Sequence, residues 1–356
     1  KDCVQGLLNR TRTADRWVQI GWLPATKESM RHIRITQLDG KLPNLALMKI
    51  SAWHRARGDV IHFTRSPYRH LDEPAYDAVY GGAIFKFSEE RVRRFEAEWP
   101  DALLGGTGSG RIATVEEIPG FVESGLDYEL YPNFNASIGF TQRGCRLSCK
   151  FCVVPGKEGK PRSVASIPDI WRGDPWPRNL HLLDNDFFGA PGWEERMTEI
   201  RDGGFKVSFT QGINVRAMTD EVAAALAKVE YRDDGFTKRR LYTAWDNLKD
   251  EEVFFRGVDT LERHGVPPSH LMTFMLVGFD KKETWERIFH RFDRMVARGI
   301  RPYPMVFDQS RRDLKRFQRW VVTGLYRAVP WKSYDGGYKA SRVVGPDQGD
   351  LFASAS

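Results

Sequence analysis

From Phe134 onward the chain repeats one unit: a short apolar run, a polar or glycine-bearing turn, then a stretch with helical spacing. The runs are ASIGFTQ, LHLLD, KVSFT, RLYTAW, LMTFMLVGF and PYPMVFD, six in all. A strand that returns parallel to its predecessor needs a crossover of a dozen or more residues, usually a helix. LMTFMLVGF is apolar throughout, as a parallel strand covered on both faces must be. The intervening stretches place Trp193, Met197 and Ile200 on one helical face. Val222, Ala225, Leu226 and Val229 follow Thr219 as cap, the helix after DNLKD closes at Gly265, and Trp285, Ile288, Phe289, Phe292, Met295 and Val296 precede Gly299. The alternation predicts an α/β fold with six parallel strands, whose working residues lie where the strands end.

The preceding segment alternates in the same way. HIRITQL, DVIHFT and AYDAVYGGAIF read as strands, and DALLGGTGSG as a strand entering a glycine loop. Asn44 to Arg57 reads as a helix stopped by Gly58, and Ser88 as the cap of a helix carrying Val92, Phe95 and Trp99. These elements predict a small Rossmann-like, doubly wound parallel sheet over residues 30–133. Gly105, Gly106, Gly108 and Gly110 form either a tight turn or a backbone that a phosphate can approach. Residues 1–29, which include Cys3, read as an upstream extension or a fragment end, without an assigned function.

The first strand of the repeat runs into GFTQRGCRLSCKFCVVPGKEGKPRS, which holds Cys145, Cys149 and Cys152, three of the four cysteines. Three thiolates on one loop can grip a metal, and soft sulfur donors favour zinc, copper(I) or iron–sulfur clusters. A structural zinc site closes with four protein ligands. Three cysteines leave a position open.

The CxxxCxxC spacing, with Phe151 directly before the last cysteine, resembles the signature loop of the radical S-adenosylmethionine (SAM) superfamily. The resemblance implies that Cys145, Cys149 and Cys152 hold a [4Fe-4S] cluster and that SAM chelates the open iron. It further implies reductive cleavage of SAM to a 5′-deoxyadenosyl radical that abstracts a substrate hydrogen. The fold it implies is a partial (β/α)6 barrel of TIM type over residues 134–308, placing the cysteine loop after the first barrel strand. The whole looks like the phage-type and bacterial radical SAM proteins whose substrates are unassigned. A Rossmann-like domain ahead of such a core resembles the cobalamin-binding domains of one branch, which makes cobalamin a further candidate cofactor. The DxHxxG motif of those domains is absent, LDGKLPN standing near the expected loop.

The strand-end rule and the resemblance together select the remaining cofactor-binding candidates. Asp184, Asn185 and Asp186 follow the second strand, beside the SAM amino group if the resemblance holds, or close the strand as an Asx turn. Gln211, Asn214 and Arg216 follow the third, where relatives touch the SAM ribose and carboxylate; Arg216 suits a bidentate pair with that carboxylate or with a neighbouring acid. Asp246 and Asn247 end the fourth, near where relatives hold an acid for the SAM hydroxyls. Gly278 leaves room for adenine or makes a turn, and His181 reads as a buried or edge histidine. VVPGKEGKPRS is similar to the continuation found in methylthiotransferases that modify transfer RNA. Those enzymes carry a second cluster on three further cysteines, whereas here Cys3 alone lies outside the loop.

A net charge of +7 is compatible with nucleic acid as a partner, beside SAM and a one-electron donor such as flavodoxin or ferredoxin. No apolar run approaches the length of a membrane span, no signal sequence is evident, and clustered cysteines suit a reducing cytoplasm. Residues 309–356 read as a helix across the barrel's open side, with Leu314, Phe317, Val321 and Leu325 at helical spacing, followed by a disordered tail. The same stretch interleaves basic and aromatic residues as a nucleic-acid surface does. Three functions therefore stand: a radical SAM enzyme of unknown substrate, a methyl- or methylthiotransferase acting on RNA, and a non-enzymatic metal-stabilised nucleic-acid-binding module.

Overall fold

A computed structural model of the chain describes residues 30–111 and 114–336. The expectations for the 1–29 extension with its Cys3, and for the tail beyond residue 336, lie outside the described residues.

The first sheet is built from β1 (His32–Gln37), β2 (Val60–Thr64), β3 (Ala78–Gly82) and β4 (Leu103–Gly105), all parallel, in the order β2-β1-β3-β4. Helices α1 (Leu45–Ala56) and α2 (Glu89–Glu98) cover opposite faces, because side chains alternate along a strand. Ile33, Ile35 and Tyr80 pack with Leu47, Met48 and Ile50 of α1, while Val79 and Leu104 pack with Val92 and Phe95 of α2. Gly81 and Gly82 keep this packing close: an added Cβ would lie 2.6 Å from Phe95 at the first and 2.9 Å from Asn44 at the second.

Asn44 caps α1, its Oδ1 accepting from the N–H groups of Ala46 and Leu47 at 3.1 and 3.3 Å. Ser88 stands at the cap position of α2 but its side chain makes no capping bond, because a 3₁₀ turn over Lys86–Ser88 already leads into the helix. Trp99 follows α2 rather than belonging to it.

Two of the glycines after β4 serve close packing. A Cβ at Gly106 would lie 2.2 Å from the Ala83 carbonyl oxygen, and one at Gly108 would lie 2.5 Å from that of Phe85. The crevice between the loops after β1 and β3, where a doubly wound sheet takes its ligand, is stitched shut. Both Asp39 carboxylate oxygens accept backbone N–H groups there, from Ile84 at 2.7 Å and Phe85 at 2.8 Å.

The chain then enters β5 (Ser137–Gly139), β6 (Gln142–Arg143), α3 (Val154–Glu158), β7 (Arg162–Ser163) and α4 (Ile167–Ile170). Alternation follows with β8 (Asn179–Leu182), α5 (Trp193–Asp202), β9 (Lys206–Phe209), α6 (Asp220–Ala227), β10 (Glu230–Tyr231), β11 (Leu241–Ala244) and α7 (Glu251–Arg263). Last come β12 (Leu271–Val277), α8 (Trp285–Ala297), β13 (Arg301–Val306) and α9 (Arg312–Val322). All six expected strands form, as β5, β8, β9, β11, β12 and β13.

They form two parallel sheets, β10-β9-β8-β5 and β11-β12-β13. Between β9 and β11 the ladder is interrupted, because short β10 occupies the β9 edge. The sheets still meet, through the Ile213 N–H donating to the Tyr242 carbonyl at 2.7 Å. Leu180, Leu182, Val207, Phe209, Leu241, Leu271 and Met275 point to the helices and form the main core. His181, Ser208, Tyr242 and Met272 alternate onto the other face.

Helix α9 turns Leu314, Phe317, Trp320 and Val321 into the core, and Gln318 donates to the Pro304 carbonyl on β13 at 2.8 Å. Its aromatic residues are therefore buried against α8, where Phe317 meets Phe289 at 5.5 Å, and offer no stacking surface. No helix among the described residues is long and apolar enough to cross a membrane.

Candidate functional site

The cysteine loop begins and ends on a small antiparallel pair, β6 with β7, in which Gln142 faces Ser163 and Arg143 faces Arg162. Backbone bonds close its base, the Cys145 N–H donating to the Gly159 carbonyl at 3.2 Å. Gly144, at φ +91°, is required here, since a Cβ would sit 2.3 Å from the Lys160 carbonyl oxygen. Glu158 holds the interior: its carboxylate accepts from Arg143 at 2.8 Å, from the Gly144 N–H at 3.0 Å and from Asn185 at 3.2 Å.

The segment after β8 anchors the loop from below. Asp184 is buried and its Oδ1 accepts from the Gln142 N–H at 2.6 Å and the Thr141 hydroxyl at 3.1 Å. Burial pushes its carboxyl up to about 7 against those donors. Asp186, also buried, takes a bidentate pair from Arg146 at 2.8 and 2.9 Å together with the Arg146 backbone N–H at 3.0 Å. The turn beneath is tight: a Cβ at Gly189 would lie 2.1 Å from Asp186 Oδ2. All three acids and amides expected after the second strand thus reach the loop that carries the cysteines.

Cys145 and Cys149 are partly buried and Cys152 is exposed. Burial raises the Cys145 thiol, with Asp186 and the other two cysteines adding to the rise and the Leu147 N–H, 3.4 Å from its sulfur, opposing it. Burial likewise raises Cys152, opposed by the Val154 N–H and reinforced by Cys149, Glu158 and Asp246. The three thiols therefore share one electrostatic neighbourhood. They are not drawn together into a finished coordination site: among the described residues no three His, Cys, Asp or Glu side chains are arranged to hold a metal ion. The donor chemistry suits a thiophilic centre, and N–H groups aimed at sulfur are the kind of outer contact that tunes one. Binding a metal requires the thiols to lose their protons.

Two further strand ends face this loop. Arg216, in the turn after β9, pairs with Asp250 at 2.8 Å. Burial opposes its charge, but Asp250 and then Cys149 hold its pKa above the ordinary value. Asp246, at the end of β11, accepts from the Leu276 N–H at 2.9 Å; burial raises its carboxyl while Arg291 and Arg216 act against the rise. Phe151 meets Phe279 beyond β12 edge-on at 5.5 Å, and Phe279 meets Phe307 beyond β13 at 4.9 Å. The loop after the first strand thereby touches a residue after the fifth, which in turn touches one after the sixth.

Gln211 is exposed and Asn214 heads the short Val215–Ala217 turn; neither hydrogen-bonds to the cysteine loop among the described residues. Asn247 is exposed, and its carbonyl accepts from the Trp245 indole N–H at 2.7 Å. Gly278 serves a turn, with φ +81° and room for Leu314, whose Cδ1 would lie 2.6 Å from an added Cβ. His181 is a core residue between Phe134 and Phe236, at 5.4 and 4.8 Å, and burial lowers its pKa to about 4.

Sequence reasoning passed over Glu158, Arg291 and Glu283. Arg291, fully buried in α8, donates to the carbonyls of Trp245 at 2.9 Å, Asp246 at 3.2 Å and Leu276 at 2.9 Å, and pairs closely with Glu283. Glu283 in turn accepts from the Gly278 N–H at 3.0 Å. One guanidinium thus fixes the ends of β11 and β12 around Asp246. The available signals were a lone acid in a basic loop and a lone cation on an apolar helical face.

A stretch of the chain is similar to a transfer-RNA methylthiotransferase. Over 170 residues it is 28% identical to the tRNA-2-methylthio-N(6)-dimethylallyladenosine synthase of Aquifex aeolicus (strain VF5), covering 42% of this chain. The alignment spans 38% of that enzyme's length. No protein-family model matches the chain, and no solved structure does. The similarity is distant and partial, and it runs to a member of the radical SAM superfamily.

Proposed function

We propose that the chain is a radical SAM enzyme, in which Cys145, Cys149 and Cys152 hold a [4Fe-4S] cluster. When bound, that cluster supplies the electron that splits SAM into methionine and a 5′-deoxyadenosyl radical able to take a hydrogen atom from substrate. The observation that carries the reading is the convergence of the three thiols, Arg216 and Asp246 from three separate strand ends. Asp184, Asn185, Asp186 and Glu158 hold the loop in register, and Phe151 packs edge-on against Phe279. Arg216 offers a guanidinium to a carboxylate and Asp246 an acceptor to hydroxyls, the two polar ends a SAM molecule presents. Gln211 and Asn214 remain candidates for its ribose.

The two parallel sheets, joined at Ile213 and Tyr242, are read as a partial (β/α)6 barrel over 134–308. The first sheet is read as a Rossmann-like domain over 30–133, and 309–356 as a C-terminal appendage. Asp39 bridging the β1 and β3 loops argues against cobalamin in that first sheet. A cytoplasmic location follows from the need to keep the thiols reduced.

The relative favours a second reading within the same chemistry, methylthio transfer to RNA. Release of 5′-deoxyadenosine from SAM on adding dithionite to the anaerobic, iron-loaded chain tests the first reading. Nucleoside mass spectrometry of RNA incubated under the same conditions tests the second, which fails if no new mass appears.

A further inference from the structure

Arg240 stands immediately before β11, half-buried, and among the described residues its guanidinium makes no hydrogen bond and no ion pair. The acids around it are engaged elsewhere. Glu230 takes Arg232 at 2.7 Å and Arg239 at 2.6 Å. Asp233 is near enough to favour the charge on Arg240, but its Oδ1 accepts the backbone N–H groups of Thr237 and Lys238 at 2.8 and 3.2 Å, and its Oδ2 the Thr237 hydroxyl at 3.1 Å. Asp234 accepts from the Ser208 hydroxyl at 2.5 Å, and burial raises its carboxyl to about 6. Burial lowers the pKa of Arg240 itself, and the guanidinium of Arg301 adds to the fall. His270, just before β12, bonds through Nδ1 to the Tyr231 hydroxyl at 2.7 Å; burial lowers its pKa, with Arg239 and Arg240 adding to the fall.

Strand register places the two arginines on one face. Tyr242 lies opposite Met272, and Met272 opposite Arg301. Side chains alternate along a strand, so Arg240, two residues before Tyr242, shares its side. That side is continuous, with Tyr242 stacked on Phe274 at 6.0 Å and Phe274 edge-on to Tyr303 at 5.6 Å. It is the face opposite the helices, and the arginines sit where the strands start, whereas the cysteine loop meets Phe279 beyond the end of β12.

We infer that Arg240, with Arg301 as its neighbour, is the receptor for an oxyanion, the phosphate or carboxylate group of a small ligand, at the strand-start end of this face. A half-buried guanidinium that no acid meets carries a desolvation cost that a bound anion offsets. Its planar fork of N–H donors takes either group through two parallel bonds. Other arginines drawn in from solvent show the contrast: Arg34 meets Glu73 at 2.9 Å and Arg216 meets Asp250 at 2.8 Å. The site is separate from the cysteines and does not depend on the reaction proposed for them.

The test uses the full chain, with inorganic phosphate and acetate as probes and titration calorimetry and thermal melting as readouts. Phosphate binding is expected to fall by about tenfold or more in Arg240→Gln and to be kept in part by Arg240→Lys. Lys281→Gln, which removes an exposed charge beyond β12, should leave it unchanged. Phosphate should raise the melting temperature of the unaltered chain and not that of Arg240→Gln. Without added anion, Arg240→Gln should melt no lower than the unaltered chain, because no partner is lost; a lower melting there would count against the inference. Acetate binding that depends on Arg240, in place of phosphate, would keep the site and assign it a carboxylate ligand. Equal binding of both probes by the unaltered chain and Arg240→Gln, or binding of neither by the unaltered chain, would overturn the inference.

Discussion

Arg146 and Asp186 form the tie that fastens the cysteine loop to the segment after β8. Two guanidinium nitrogens of Arg146 lie 2.8 and 2.9 Å from the two carboxylate oxygens, and its backbone N–H donates to the same group at 3.0 Å. The carboxylate is buried while the guanidinium is partly exposed, so the acid carries the greater cost if the tie is cut.

Asp186→Ala should lower stability by about 1–2 kcal/mol, the exposed side of Arg146 limiting the loss. It should lower retained iron more than it lowers the melting temperature. Gly189→Ala should behave alike, because its methyl group would occupy the place of Asp186 Oδ2. Iron analysis beside thermal melting checks both.

Asp184 makes stability depend on pH. Its carboxyl rises from an ordinary 3.8 to about 7 on folding, so the folded chain holds a proton that the unfolded chain has released. Stability from this group is present below the unfolded value and declines as pH rises from about 4 to about 7. Asp184→Asn keeps an acceptor for the Gln142 N–H without the buried charge. Its melting temperature relative to the unaltered chain should therefore be higher at pH 8 than at pH 5, as melting curves at both will show.

Arg291→Met should destabilise the chain by about 3–5 kcal/mol, because Glu283 would be left buried without its partner and three carbonyls without their donor. Denaturant unfolding measures it. Pairing Arg291→Met with Glu283→Gln should recover part of the loss, which a general packing defect would not.

Arg216→Met should weaken SAM binding about tenfold or more with little change in iron content, since the loss of a charge-assisted pair falls on the ligand. Arg216→Lys should restore a part. Equilibrium dialysis with SAM gives the affinity.

The strands and helices of this fold were legible because their apolar residues keep a period, as LMTFMLVGF and the stripe from Trp285 to Val296 do. The cysteine loop announced itself by spacing. Less visible were contacts set by tertiary approach. The two-residue strands β6 and β7 have no period to read, and Glu158 acquires its role only when the chain folds back on Gly144. Ser88 carried the right side chain for a cap, yet a preceding turn removed the need. Gly106 and Gly108 read as a phosphate approach or a tight turn, and what demands them is the Ala83–Phe85 backbone crossing beneath.

The most direct test of the account is metal stoichiometry after anaerobic reconstitution with iron, sulfide and zinc in competition. About four irons and matching sulfide per chain are expected, as for a [4Fe-4S] cluster, and both should be lost on replacing Cys145, Cys149 or Cys152 by alanine. One zinc per chain, without sulfide and indifferent to added SAM, would contradict it.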